Sequence, residues 1–378
     1  MTTRPVYMTL FLLIASVCAS AQVVDTTICD ILANPRSFDG KTVRVKSTAS
    51  AGFDEFILKD ASCNQPINAV WLSYPEGTKA KAGPLALIAV QAARNLAVPA
   101  TQVQHTPVKL EKNKDFKQVD SLLSTAHKGG GMCLGCGRYT VSATFVGRLD
   151  GVDRAGIIRD ASGKISDTAG FGNLSLYRAR LVLQSVADVT PHEIDYSANT
   201  AAKDDSVNEG QSGDPVASTR QAAKAFGVES DAGKQLERAA AAYGNEGEDN
   251  GVNVGFGSAN EIPKNDGSKG DKDSPDGLLL NCTFDMDRLK GDALSRAMAH
   301  VGTHIADLRD PSPALTSYEL EYRAWMTTIL SALAYKQKTL TAPGGYLLWN
   351  SGWPAAERQK SVDDGLASFL TNWASLKK

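Results

Sequence analysis

Two polar stretches decide how this chain can be organised. Gly244 to Asn250 and Lys264 to Gly277 are dominated by Asp, Asn, Gly, Ser, Glu and Lys. Segments of that composition hold too little apolar surface to offset the entropy lost when a backbone is ordered. The 378 residues therefore read as two folded units joined by a linker, in keeping with a length at which one core stops growing. The linker spans 193–276 and carries one helical island, Ser218 to Tyr243; the units occupy 22–192 and 277–378. The cluster Asp271 to Gly277 lacks the ligand spacing of an EF-hand and stays with the linker.

The amino terminus predicts a compartment. Arg4 precedes an apolar run from Val6 to Val17, and Ala19-Ser20-Ala21 has the small residues of a cleavage site. Together they read as a signal peptide over 1–21, with a mature chain starting at Gln22 and a secreted or periplasmic location. No later segment approaches the roughly 18 apolar residues needed to span a bilayer, so no transmembrane segment is expected in the mature chain. A formal charge of -2, with 40 basic against 42 acidic residues and no long basic run, argues against a nucleic-acid partner. Export makes disulfides the default for Cys29, Cys63, Cys133 and Cys136. Three connectivities are open; the first choice pairs Cys29 with Cys63 and Cys133 with Cys136, leaving Cys282 over. The Cys-x-x-Cys spacing also suits half a zinc site, but no second pair stands at finger spacing.

Residues 22–192 read mainly as strands. Thr42 to Ser47 alternates apolar with polar, Glu55 to Lys59 and Ala69 to Tyr74 are short β-rich runs, and Tyr139 to Leu149 and Tyr177 to Val189 are longer ones. Five strands with turns between them suggest a small barrel. Gly83 to Leu96 reads as a helix, followed by a polar excursion through Lys128 to Gly131 that looks like an insertion between strands. The opening Cys29-Asp30-Ile31-Leu32-Ala33-Asn34-Pro35 and Asp39 to Val45, with the later Phe145 to Leu149 and Leu181 to Val186, resembles small secreted bacterial domains built on an OB-like barrel. The resemblance implies a fold and no activity.

Beyond the linker, Gly277 to Phe284 reads as one buried strand and the rest as mostly helical. Asp292 to Arg309 carries an apolar stripe of Leu294, Met298, Val301, Ile305 and Leu308, and Pro311 and Pro313 end it. His300 and His304 lie four apart on this helix, so both imidazoles share one face and can close on one ion. A second helix, Tyr318 to Tyr335, puts Tyr318, Tyr322, Trp325, Met326, Ile329 and Leu333 on the expected inner face. Thr316 and Glu319 have capping-box spacing. Glu321 has no such structural task.

The stretch Leu294 to Asp307, followed by Leu315 to Trp325, resembles the glutamate-ligated zinc metallopeptidases, in which a His-Glu-x-x-His helix precedes a glutamate-bearing helix. The resemblance implies that His300, His304 and Glu321 are zinc ligands, that the fold is zincin-like, and that the partner is a peptide or protein. One departure matters for mechanism. The residue after the first histidine is the general base in such sites, and here it is Val301. No catalytic residue is therefore assigned. Restoring a glutamate at 301 should restore hydrolysis if the site is otherwise intact. Glu319 or Asp307 could act as a relocated base, and Asp310 as a third ligand on a metzincin pattern that wants glycine at 307.

The expected fold class is α+β in two domains, an OB-like β-barrel followed by a mainly helical zincin-like domain. Three functions stay open: a catalytically impaired peptidase homologue that binds zinc, a non-enzymatic envelope binding or scaffold protein with structural histidines, and an active hydrolase with a relocated base.

Overall fold

The computed structural model describes residues 22–52, 55–63, 68–83, 107–124, 132–135, 137–153, 155–159, 165–172, 177–194, 215–244, 252–257, 281–285, 289, 291–309, 317–334, 339–341 and 347–350. The expected signal peptide, residues 84–96 of the helix expected over 83–96, the Asp271 to Gly277 cluster and Asp310 lie outside them.

The alternating runs become a closed β-barrel. Its strands are β2 (Thr42–Ala51), β3 (Phe56–Lys59), β4 (Ala69–Ser73), β6 (Tyr139–Gly151) and β9 (Ala179–Glu193). Around the ring the order is β2, β3, β4, β9, β6 and back to β2, with β4 and β9 the parallel pair. Inward positions recur at every second residue, as pleating requires: Val43, Val45 and Ala49 from β2, with Val141, Ala143, Phe145 and Leu149 from β6, are all buried in one core. Gly147 keeps that alternation where a side chain cannot fit, since a Cβ there would stand 2.3 Å from the Val182 carbonyl oxygen beside a register shift in β6. Helix α1 (Ile28–Ala33) closes one end with Ile28, Ile31 and Leu32, its amino end capped by the Thr27 side chain. The short strand β1 (Val24–Thr26) adds to β2 in parallel. Cys29 and Cys63 form a disulfide that ties α1 to the turn after β3.

Two elements inside the expected insertion carry no strong local signal. Helix α2 (Lys114–Leu122) is capped by Asn113 and lays Phe116 and Val119 on the barrel core. Strand β5 (Met132–Leu134) leaves the barrel altogether: it pairs in parallel with β11 (Asn281–Asp285), which pairs on its other side with β10 (Asn253–Gly257). A hairpin of β7 (Gly156–Arg159) and β8 (Ile165–Ala169) precedes β9, and β12 (Thr339–Thr341) pairs with β13 (Leu347–Asn350) near the carboxy terminus.

The linker expectation needs correction. Its single helical island is two helices, α3 (Pro215–Phe226) and α4 (Asp231–Ala241), and its 253–257 segment is a sheet strand. The break has a plain cause: Gly227 takes φ +82°, and Ser230 caps the next helix by accepting from the Gly233 amide. These helices are part of a packed body. Together with α5 (Gly291–Arg309) and α6 (Ser317–Ala334) they form a four-helix cluster in which every helix touches the other three. Within the cluster, helix α5 is the one whose apolar stripe packs on the β10–β11–β5 sheet. Its Leu294, Met298, Val301 and Ile305 bury against Leu134, Cys282 and Phe284. The expected stripe thus meets a sheet, while its other faces look into the helices.

Helix α6 differs from expectation. Its buried set includes Leu320, Glu321, Arg323, Ala324, Thr327, Thr328 and Ser331, whereas Trp325 and Ile329 are only partly covered. Of the expected inner face Met326 is buried, Trp325 and Ile329 are half-buried, and the side chains of Tyr318, Tyr322 and Leu333 lie outside the described residues. Among the described residues no helix is long and apolar enough to cross a membrane.

Candidate metal centre

Helices α5 and α6 bring His300, His304 and Glu321 together. One donor atom from each lies within 4.8 Å of the others, and all three side chains are buried, at 4%, 0% and 1% exposure. The two imidazole Nε2 atoms are 3.1 Å apart, and His304 Nε2 stands 3.3 Å from Glu321 Oε1. Ligands held at about 2.0–2.1 Å by a tetrahedral ion sit roughly 3.3–3.4 Å from each other. The observed 3.1 and 3.3 Å separations are close to that spacing and are also those of hydrogen-bonded or ion-paired groups.

The chemistry of the donors agrees. Neither Glu321 oxygen has a hydrogen-bond partner among the described residues, although both are buried. A buried carboxylate is costly unless a cation or a proton donor faces it, and the group at 3.3 Å from its Oε1 is His304 Nε2. Burial pushes the His300 imidazole down to about 3; neighbouring His304 adds to the shift and Glu321 opposes it. At neutral pH His300 therefore offers a lone pair, as a metal ligand must.

Three further contacts hold the arrangement. His300 Nδ1 lies 3.1 Å from Thr328 Oγ1, and Thr328 donates its own proton to the Ala324 carbonyl at 2.9 Å. The Trp325 ring meets the His300 ring edge-on at 5.2 Å between centroids. One turn beyond His304, Asp307 Oδ1 accepts from Arg238 of α4 at 2.8 Å and from Arg323 of α6 at 3.0 Å. This ion-paired node clamps three helices beside the ligands. Both guanidinium contacts fall on Oδ1 of Asp307, the residue weighed as a relocated base, and its Oδ2 is buried with no hydrogen-bond partner among the described residues.

Val301 is fully buried in the cluster that α5 makes with the sheet, among Leu134, Cys282, Phe284 and Leu320. An acid placed there, as in the Val301→Glu substitution considered above, enters an apolar core. Gly302 beside it is needed for packing: a Cβ would come 2.2 Å from the Ala239 carbonyl oxygen and 2.9 Å from the Tyr243 ring. The Glu319 side chain and Asp310 lie outside the described residues.

Thr328, Arg238 and Arg323 escaped the sequence reading. Thr328 did leave a signal, since Glu321, Trp325 and Thr328 fall at i, i+4 and i+7 on one helical face. Arg238 left none, standing 69 residues from its partner. The second grouping of metal-ligating types, Cys29, Asp60 and Cys63, has both its sulfurs committed to the disulfide. Cys133 is also disulfide-bonded, while its expected partner Cys136 lies outside the described residues. Cys282 is a free, buried thiol whose burial pushes its pKa up to about 12. No protein-family model matches the chain, and neither a curated protein nor a solved structure is found to match it.

Proposed function

We propose that this chain is an exported zinc-binding protein, with the ligand order of a glutamate-ligated zinc peptidase and without its hydrolytic activity. His300, His304 and Glu321 hold the ion, and Val301 stands where the general base would be. The observation that carries the reading is the buried Glu321 carboxylate, without hydrogen-bond partners beside two imidazole nitrogens. The burial of all three ligands favours a closed centre that braces α5 against α6 over one that admits a peptide bond. Four-helix clusters commonly build such centres from facing side chains.

The barrel half of the proposal is an OB-like domain. Its support is the ring order, in which the third and fifth barrel strands close in parallel while the first pairs with the fourth. Export is supported by the amino-terminal pattern and agrees with the Cys29–Cys63 disulfide, a bond that persists in oxidising compartments.

Metal analysis of the full chain, purified without chelators, tests the reading. One equivalent of zinc is expected, falling to none in His304→Ala and Glu321→Ala, with casein left uncleaved by all three proteins. Wild-type protein that carries no zinc and gains no thermal stability on zinc addition would make the histidines structural and overturn the proposal.

A further inference from the structure

We infer that Thr328 is a positioning residue that fixes His300 in the Nδ1–H tautomer and so turns its Nε2 lone pair toward the shared site. This rests on the zinc reading for its consequence, but its physical content is present in the metal-free protein.

The proton count carries the argument. A threonine hydroxyl has one proton to give, and Thr328 spends it within its own helix on the Ala324 carbonyl, 2.9 Å away. Its oxygen can then only accept from His300 Nδ1 at 3.1 Å, so that nitrogen carries the proton. A neutral imidazole has one N–H, and the 3.1 Å approach of the two Nε2 atoms requires that at least one of them carry no proton. Nε2 is left as the acceptor, and it is Nε2 that stands 3.1 Å from His304 Nε2. A hydrogen bond to the ring nitrogen that does not bind metal is the general means of orienting a histidine ligand.

Position along α6 supports the assignment. Glu321, Trp325 and Thr328 lie at i, i+4 and i+7, one face spanning two turns. One end of that face supplies the carboxylate, the middle supplies the ring packed on His300, and the far end supplies the acceptor for Nδ1–H. A single helix thus provides a ligand and fixes the orientation of another. Thr327, next in sequence, shows the alternative use of the same residue type: it donates to the Arg323 carbonyl at 2.8 Å and accepts from the Gln235 amide at 2.9 Å, bracing α4 against α6.

The test compares wild type, Thr328→Ser and Thr328→Val in the full chain. Long-range proton–nitrogen correlation spectra of chelator-treated protein report the tautomer of each imidazole, with the His300 signals identified by their loss in His300→Ala. Zinc affinity is then measured by competition with a chromophoric chelator, and circular dichroism checks the fold. The expected result is an Nδ1–H imidazole in wild type and Thr328→Ser. In Thr328→Val that tautomer preference is lost and zinc binds about 10–100-fold more weakly. An Nε2–H tautomer in the wild type, or a Thr328→Val protein with wild-type spectra and affinity, would overturn the inference. If the wild type shows the Nδ1–H tautomer yet takes up no zinc, the tautomer assignment stands and the zinc reading alone fails.

Discussion

Placing a glutamate at position 301 separates a core residue from a missing catalytic one. Val301 is fully buried, and its neighbours Leu134, Cys282, Phe284 and Ile305 offer no partner for a charge. At pH 7 the new side chain has to be neutral to stay there. Holding a group of ordinary pKa near 4.3 in its protonated form at that pH costs about 4 kcal/mol, at 1.36 kcal/mol for each pH unit. Two extra heavy atoms in a packed core add about 1–3 kcal/mol. The sum, roughly 5–7 kcal/mol, takes up much or all of a typical domain stability of about 5–15 kcal/mol. Urea unfolding followed by circular dichroism should show Val301→Glu with a large loss of midpoint or no folded baseline. The sign of its pH dependence is fixed as well: the folded state holds the proton more tightly than the unfolded one, so the deficit grows as pH rises. Relative to wild type it should shrink by roughly 2.7 kcal/mol between pH 7 and pH 5. Val301→Gln, which cannot ionise, should show a deficit that pH leaves unchanged. A Val301→Glu protein with wild-type stability at pH 7 that hydrolyses casein, in a reaction abolished by His304→Ala, would refute the reasoning and put residue 301 in the site.

Other perturbations test other parts of the structure. Replacing Cys29 and Cys63 by alanine opens a loop of sequence separation 34, and should lower unfolding stability by about 2–4 kcal/mol in denaturant titration. Gly302→Ala puts a Cβ against the Ala239 carbonyl; calorimetry should show a loss of about 1–3 kcal/mol from forcing α4 off α5. Cys282, with its pKa pushed up to about 12, has a thiolate fraction near one in ten thousand at pH 8, so a thiol reagent should leave it untouched in native protein and label it on denaturation. Asp307→Asn removes the charge that joins Arg238 and Arg323 and should lower the thermal midpoint, an effect of about 3–5 kcal/mol for breaking a buried pair.

How much of this was legible in the residues follows from where the signals lie. The five barrel strands were visible because a period of two is local: β2 alternates buried and exposed positions through Val43, Val45 and Ser47, and any such run declares its own face. Strand β5 was not visible. It has three residues, and its partners are about 150 positions further on, so nothing nearby marks it as a strand. Strand β10 was hidden by composition, since Asn253-Val254-Gly255-Phe256-Gly257 reads as turn chemistry until β11 supplies a ladder. The merged helical island is a different kind of miss. Gly227 and Ser230 were in plain view as a helix stop and a helix cap, and the alanine-rich flanks masked them.

The site was half legible for the same reason. His300 and His304 announce a shared face through their spacing, but spacing says nothing about what stands opposite. If the pair were ordinary core residues, apolar side chains or satisfied polar groups would be expected across from them. Helix α6 instead presents a carboxylate without hydrogen-bond partners among the described residues, a tryptophan edge, and a hydroxyl able only to accept. Within this set His304 Nε2 lies within reach of both His300 Nε2, at 3.1 Å, and Glu321 Oε1, at 3.3 Å, so one ring proton there faces two acceptors. On the zinc reading proposed above, one divalent cation would take a donor atom from each of His300, His304 and Glu321. Val301 belongs to the same logic from the other side of α5: the sheet beneath it demands an aliphatic group, so the helix can hold an ion on one face while its other face excludes the acid that hydrolysis would need.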